Sequence, residues 1–126
     1  MNQPLAGVTV LDLTRLLPGG FATLLLADLG AEVLKIEEPG RGDYLRAFPL
    51  LGKTQSILFT ALNRGKRSMT LNLKAPAGRK ILLDLACRAD VLIESFRPGV
   101  LARLDLDYAT LRAANERLIV CTIRTQ

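Results

Sequence analysis

At 126 residues the chain is long enough for one domain with one core, and 49% hydrophobic against 23% charged residues argues for a folded globular protein rather than a disordered one. The net charge of +5, with a pI near 9.7, suits an anionic ligand, but the cations are dispersed and aromatics make up only 5%, which disfavours a stacking platform for single-stranded nucleic acid. No histidine is present, which excludes a histidine base, a histidine metal ligand and a Ser-His-Asp triad within these residues.

Residues 8–12 are short, β-branched and mostly apolar, the pattern of a buried strand. A loop over residues 13–20, ending in Pro18, Gly19 and Gly20, leads into a helix over 21–29 that is apolar nearly all round and so expected to be buried. Gly30 is placed to cap that helix, and residues 33–37 form a second strand. Strand, helix and strand in so short a span make a βαβ unit, which implies parallel strands.

A turn-rich loop follows over residues 38–42. Residues 43–54 show no period and read as irregular, and residues 55–63 lean towards helix. The third strand is expected over residues 69–73, with Met69, Leu71 and Leu73 on one face. Pro76 suits the first position of a helix over residues 76–88, whose apolar face would carry Ile81, Leu82, Leu85 and Ala86. Residues 91–94 form a fourth strand, residues 100–104 a single helical turn, residues 108–115 a short helix, and residues 118–123 a fifth strand. The alternation predicts an α/β fold, a Rossmann-like open parallel sheet with helices on both faces. Ligands of such sheets sit beyond the carboxyl ends of the strands, here residues 13–20, 37–42, 73–76 and 95–99.

The basic turn holding Arg64, Gly65, Lys66 and Arg67 is a candidate for holding phosphates, because it leads into a strand whose far end feeds a helix N-terminus. The alternative is a solvated basic turn before an ordinary strand, and spacing does not choose between them. Glu37 lies near the position of a ribose-binding acid, but the first loop lacks the Gly-x-Gly-x-x-Gly pattern, which counts against NAD. The carboxylates give no convincing acid–base pair. Asp90 is expected at the start of a strand and Glu94 at the end of one, there binding a loop cation. Cys87 and Cys121 lie far apart without metal-type spacing and are read as buried thiols in a reducing cytosol. No signal peptide, membrane span or metal site is legible, so the expected location is cytoplasmic.

A set of spaced motifs resembles the N-terminal part of the class III CoA-transferases, the family of formyl-CoA:oxalate CoA-transferase, carnitine CoA-transferases and alpha-methylacyl-CoA racemase. They are PLAGVTVLDLTR (4–15), PGG (18–20), ADLGAEVLKIE (27–37), PGRGD (39–43), NRGKRS (63–68), LNLK (71–74), ADVLIESFRPG (89–99), residues 104–111 and NERLI (115–119). They cover nearly the whole chain in family order.

The resemblance implies that residues 1–126 are the CoA-binding portion of a Rossmann-like large domain, incomplete by comparison with the family, whose full-length members are interlocked homodimers. Full-length members move CoA between carboxylic acids through an aspartyl-CoA intermediate. Their catalytic aspartate belongs to a segment beyond Gln126, as do the histidine and aspartate of the racemases, so no catalytic residue is expected here. Carried over by position, the contacts to CoA or acyl-CoA fall on Leu16, Leu17, Leu71, Asn72, Leu73, Lys74, Ser95, Phe96, Arg97 and Arg103. Lys74, Arg97 and Arg103 would meet phosphates.

Departures are Glu38, where many members carry arginine, Asp105 within Leu-Asp-Leu, Glu116, and an ending at Arg124, Thr125 and Gln126 that reads as a frameshift or truncation. The expected partners are CoA, further copies of the chain in a homodimer or larger assembly, and the absent C-terminal segment, with no nucleic acid and no membrane. A stand-alone CoA- or nucleotide-binding module, or a fragment of a racemase-type enzyme, is the alternative.

Overall fold

The computed structural model describes residues 2–47 and 56–124. Within them the elements run β1 (Thr9–Leu13), α1 (Leu16–Asp28), β2 (Glu32–Glu37), a 3-10 turn (Tyr44–Ala47), α2 (Ile57–Asn63), β3 (Arg67–Thr70), α3 (Pro76–Ala86), β4 (Val91–Glu94), α4 (Val100–Arg103), α5 (Tyr108–Ala114) and β5 (Ile119–Thr122). The strands form one sheet in the order β3-β2-β1-β4-β5, and every neighbouring pair is parallel. The expected α/β architecture is therefore present. The chain winds outward from β1 to β3, then returns to place β4 on the other side of β1. The strand order reverses between β1 and β4, where doubly wound sheets open a crevice.

Period-two alternation divides the apolar side chains between the two faces. Leu11, Leu13, Ile36 and Leu92 join Leu82 and Ala86 of α3 and Leu111 of α5 in one core cluster. Val10, Val33 and Ile93, the residues between, pack on the opposite face with Leu26 and Ala27 of α1. Leu24, Leu45 and Leu62 form a third cluster where α1 meets α2 and the 3-10 turn, with Leu16 packed against it.

Local signals set several boundaries. Pro76 occupies the first turn of α3, as its missing N–H allows. Gly30, at φ +106°, ends α1 by donating its N–H to the Ala27 carbonyl at 3.0 Å. The Asp107 carboxylate caps α5 by accepting from Thr110 N at 3.1 Å. Asp90 stands before β4 and accepts from Thr9 N at 2.8 Å, tying the start of β4 to that of β1.

Other expectations are corrected. α1 begins at Leu16 rather than Phe21, because Gly19 and Gly20 lie buried inside its first turns. It is not buried all round: Leu17, Phe21, Leu25 and Leu29, spaced by four, form an exposed apolar ridge. β3 comes earlier than residues 69–73. Met69 is exposed on this edge strand, while Leu71 and Leu73 lie in the following turn and pack inward. Ile81 is exposed beside buried Leu82 and Ala86, since α3 meets the sheet along a narrow stripe. Both cysteines are free and exposed: Cys87 caps the end of α3 and Cys121 lies on the edge strand β5. The irregular reading over 48–54 falls outside the described residues.

Candidate functional site

A cleft of about 930 Å³ opens at the carboxyl ends of the strands. Leu13 at the end of β1, Arg15 and Leu16 just after it, Glu37 and Glu38 at the end of β2, residues 71–74 after β3, and residues 95–97 after β4 line it together. Tyr44 joins from the 3-10 turn and Val100 from α4. Most of the sequence-derived candidates thus converge there: Leu16, Leu71, Asn72, Leu73, Lys74, Ser95, Phe96 and Arg97. Leu17 and Arg103 do not line it. Leu17 belongs to the exposed ridge of α1, and Arg103 is an exposed residue of α4.

A buried polar framework fixes the wall of this cleft. Asp12 accepts from Thr14 N at 2.8 Å and from the hydroxyls of Thr14 and Thr23, each at 2.5 Å. Gly19 sits so close to Thr14 that any β-carbon would overlap that side chain, which allows α1 to start directly against the end of β1. Asp43 pairs with Lys35 at 2.7 Å, with both side chains 1% exposed. Its other oxygen accepts from Leu16 N at 3.1 Å and Leu45 N at 3.0 Å. Leu16 has φ +66°, a left-handed conformation that disfavours a side chain, and the Asp43 carboxylate holds its backbone there. Across the crevice, Arg15 N donates to Ser95 Oγ at 3.1 Å, linking the loops after β1 and β4.

Glu37 faces this framework rather than a ligand. It accepts from Arg46 at 2.7 and 2.8 Å, from Asp43 N at 2.9 Å and from Ser68 Oγ at 2.5 Å. Burial pushes its carboxyl up, but these bonds prevail and hold it at about 2 against an ordinary 4.5. A folded pKa below the unfolded one supplies stability that is complete above the unfolded value and lost as pH falls through the folded one. Unfolding by urea should therefore show on the order of 2 kcal/mol lost through Glu37 as pH drops from about 4.5 towards 2. Glu37→Gln should flatten that slope, and an unchanged slope would refute the assignment.

The basic turn does not reach the cleft. Lys66 is buried and donates to Gly20 O at 3.0 Å and Asn63 Oδ1 at 2.8 Å, with Asp12 at 3.5 Å. Burial pushes its pKa down to about 8, with Lys35 adding to the effect and Asp12 opposing it. Arg64 pairs with Asp28 at 2.8 Å and Arg67 with Glu32 at 3.2 Å. Arg64 and Arg67 are solvated, as the alternative reading expects, but the Lys66 side chain is 1% exposed, so the turn is not the fully solvated one of that reading. It precedes β3 and so lies at the amino end of a parallel strand, away from the crevice. Among the described residues Glu94 binds no loop cation either; its carboxylate accepts from Phe96 N at 2.8 Å and Thr122 Oγ1 at 2.7 Å.

Arg15 is a cleft residue that sequence reasoning missed as a contact. Its guanidinium lies 5.2 Å from the ring centroids of both Tyr44 and Phe96, donates to Tyr44 Oη at 3.0 Å, and stands 3.6 Å from the Glu38 carboxylate. Only its place just after a strand end hinted at this, because the two rings that hold it are remote in sequence.

The fold and cleft thus define a doubly wound sheet with a roomy opening at its reversal point, floored by apolar side chains and edged by Arg15, Lys74 and Arg97. Residues 5–126 match CoA-transferase family III, and the chain belongs to that family. It is 50% identical to the acetyl-CoA:oxalate CoA-transferase of Acetobacter aceti over 117 residues, 92% of this chain and 30% of that one. It is 45% identical to the human succinyl-CoA:glutarate CoA-transferase over 123 residues, 96% of this chain and 28% of that one.

Among solved structures, Rv3272 from Mycobacterium tuberculosis superposes with a TM-score of 0.90 at 39% identity, covering 98% of this chain and 34% of that one. A CAIB/BAIF family protein from Brucella suis superposes at 0.89 and 40% identity, covering 97% and 33%. The chain thus spans about 30% of the length of these curated relatives.

Proposed function

We propose that this chain is the CoA-binding N-terminal part of a class III acyl-CoA transferase, and that the cleft receives CoA through its nucleotide end. The observation carrying this reading is the convergence of residues 71–74 and 95–97, from separate crossovers, on one cleft at the strand-order reversal. Lys74 and Arg97 are exposed cations at its rim, suited to the diphosphate, while Leu13, Ile36, Leu71 and Leu73 offer an apolar floor to adenine or pantetheine. The 13-residue helix α1 starts at the cleft wall, which adds the positive end of its dipole.

No catalytic role is assigned to the chain's own carboxylates. Asp12, Glu37, Asp43 and Glu94 are buried and bound by neighbouring donors, so none is free to attack a thioester. The chain is accordingly expected to bind CoA without turning it over, transfer between carboxylic acids belonging to a longer polypeptide. The exposed α1 ridge and the uncharged edge strand β5 support the further reading that the chain self-associates.

Calorimetric titration with CoA tests the site. Lys74→Ala and Arg97→Ala should each weaken binding roughly ten- to a hundred-fold, the usual cost of a lost charge-assisted contact, and increasingly so at low salt. Arg112→Ala, on α5 with its guanidinium near the Tyr108 ring, should not. Equal affinity for all four proteins would remove the assignment.

A further inference from the structure

The two ends of the sheet are built differently. β3, at one end, carries Arg67, paired with Glu32 of β2, and charge on an edge strand deters pairing with another chain. β5, at the other end, reads Ile-Val-Cys-Thr, with neither charge nor proline. Ile119 and Ile123 donate their N–H groups towards β4, to Asp90 O at 3.0 Å and Glu94 O at 2.9 Å. Backbone direction alternates along a strand, so Val120 and Thr122 turn their N–H and C=O groups outward, where no strand stands among the described residues. The side chains alternate too. Val120 packs into the core on the α3 face and Ile123 on the α1 face, so Ile119 and Cys121 share the α1 face. α1 covers β1 and β2 there, leaving Ile119 63% exposed and Cys121 exposed beside it.

We infer that the outer edge of β5 is a docking surface for a second copy of this chain, paired antiparallel about a two-fold axis at Cys121. The inference rests on the reading that the chain self-associates, and it names the surface that does so. This register suits backbone and side chains together. Val120 faces Thr122 of the second copy, both with outward donors and acceptors, so each such pair exchanges two hydrogen bonds. Ile119 faces Ile123 and Cys121 faces its own counterpart on the open face, an apolar ladder that takes Ile119 out of water. Arg124 falls opposite Leu118 rather than another cation. Moving the axis to Val120 would set Arg117 against Ile123, and moving it to Thr122 would set Arg124 against Val120, so the neighbouring registers each oppose a charge to an apolar strand residue.

The test is cross-linking of the 126-residue chain with diamide, which takes up the two electrons and two protons released when two thiols join. Residues facing each other at a non-hydrogen-bonded position of an antiparallel pair have Cα atoms about 4.5 Å apart, within the roughly 4.4–6.8 Å that a disulfide spans. Cys87→Ser, which keeps Cys121, should give a covalent dimer on a non-reducing gel. Cys121→Ser, which keeps the other exposed thiol at the end of α3, should not. Cross-linking of both variants alike marks random collision and overturns the proposal. Light scattering is the second arm. At about 100 μM the wild type should exceed the 13.7 kDa of one chain, as a small interface allows. Ile119→Lys should weaken association roughly tenfold or more, yet unfold at the wild-type urea concentration because the side chain is solvated. Association that survives Ile119→Lys but is lost in Phe21→Lys assigns the contact to the α1 ridge, overturning the β5 surface while self-association stands. A monomer at that concentration overturns both.

Discussion

Asp43→Ala is expected to lower stability by about 3–5 kcal/mol, because it leaves the buried Lys35 ammonium without its counter-ion. Against a total of roughly 5–15 kcal/mol for a domain, that is a large share. Among the described residues Lys35 would keep the Thr14 carbonyl at 3.2 Å, in a position where its side chain is 1% exposed. The same substitution frees the Leu16 N–H, whose bond to Asp43 holds a left-handed residue at the cleft wall, so ligand affinity should fall as well. Asp28→Ala is the contrast. It breaks an ion pair with Arg64 of similar length, 2.8 Å, but both side chains are solvated, and the cost should be below about 1 kcal/mol. Urea unfolding of both variants decides, and equal losses would contradict the account. Pairing Lys35→Met with Asp43→Leu should recover much of the loss, since neither partner is then left as an unpaired buried charge.

Gly78→Ala is the second large effect. Gly78 lies in the first turns of α3, and a β-carbon there would overlap the Asn72 carbonyl oxygen. The clash is with backbone, which cannot rotate away as a flexible side chain does, so either α3 or the turn after β3 must move. We expect about 1–3 kcal/mol of destabilisation, with a further loss of CoA affinity because that turn carries Asn72, Leu73 and Lys74. Gly20→Ala controls for the generic substitution. Its β-carbon would meet Leu62 at 3.9 Å, an ordinary contact, and glycine in a helix interior is intrinsically unfavourable, so this change should be neutral or stabilising by up to about 1 kcal/mol. If both variants unfold at the same denaturant concentration, the close packing of α3 on the cleft loop is wrong.

The sheet was largely legible because strand character, alternation and turn residues agree along the chain. β4 falls on the expected residues, and α3 begins at Pro76, where proline is free of its usual helix penalty. What sequence could not show was which apolar faces lie open and which cations turn inward. Phe21 and Leu25 read as core in an apolar helix, yet only the inner stripe of α1 meets β2 and α2. The cluster around Lys66 reads as a phosphate site because charge density is visible in sequence. Its burial against Asp12 depends on β1 and β3 being brought together across β2, which no local pattern records. Arg15 illustrates the reverse case, a single cation without a basic neighbourhood that two distant rings convert into part of the cleft. Leu16 and Leu17 are both carried over by position, but the turn into α1 directs Leu16 inward while Leu17 faces solvent, a difference that no local pattern records.

The central claim is that the cleft at the reversal point takes the nucleotide end of CoA. Its most direct test is a backbone amide shift map of the isotopically labelled chain titrated with CoA. The account predicts perturbations concentrated at Arg15, Leu16, residues 71–74 and residues 95–97, with β5 and α5 little affected. Perturbations centred instead on the second, smaller hollow of about 320 Å³ beside Tyr108 and Arg124, or spread over the exposed α1 ridge, would contradict it.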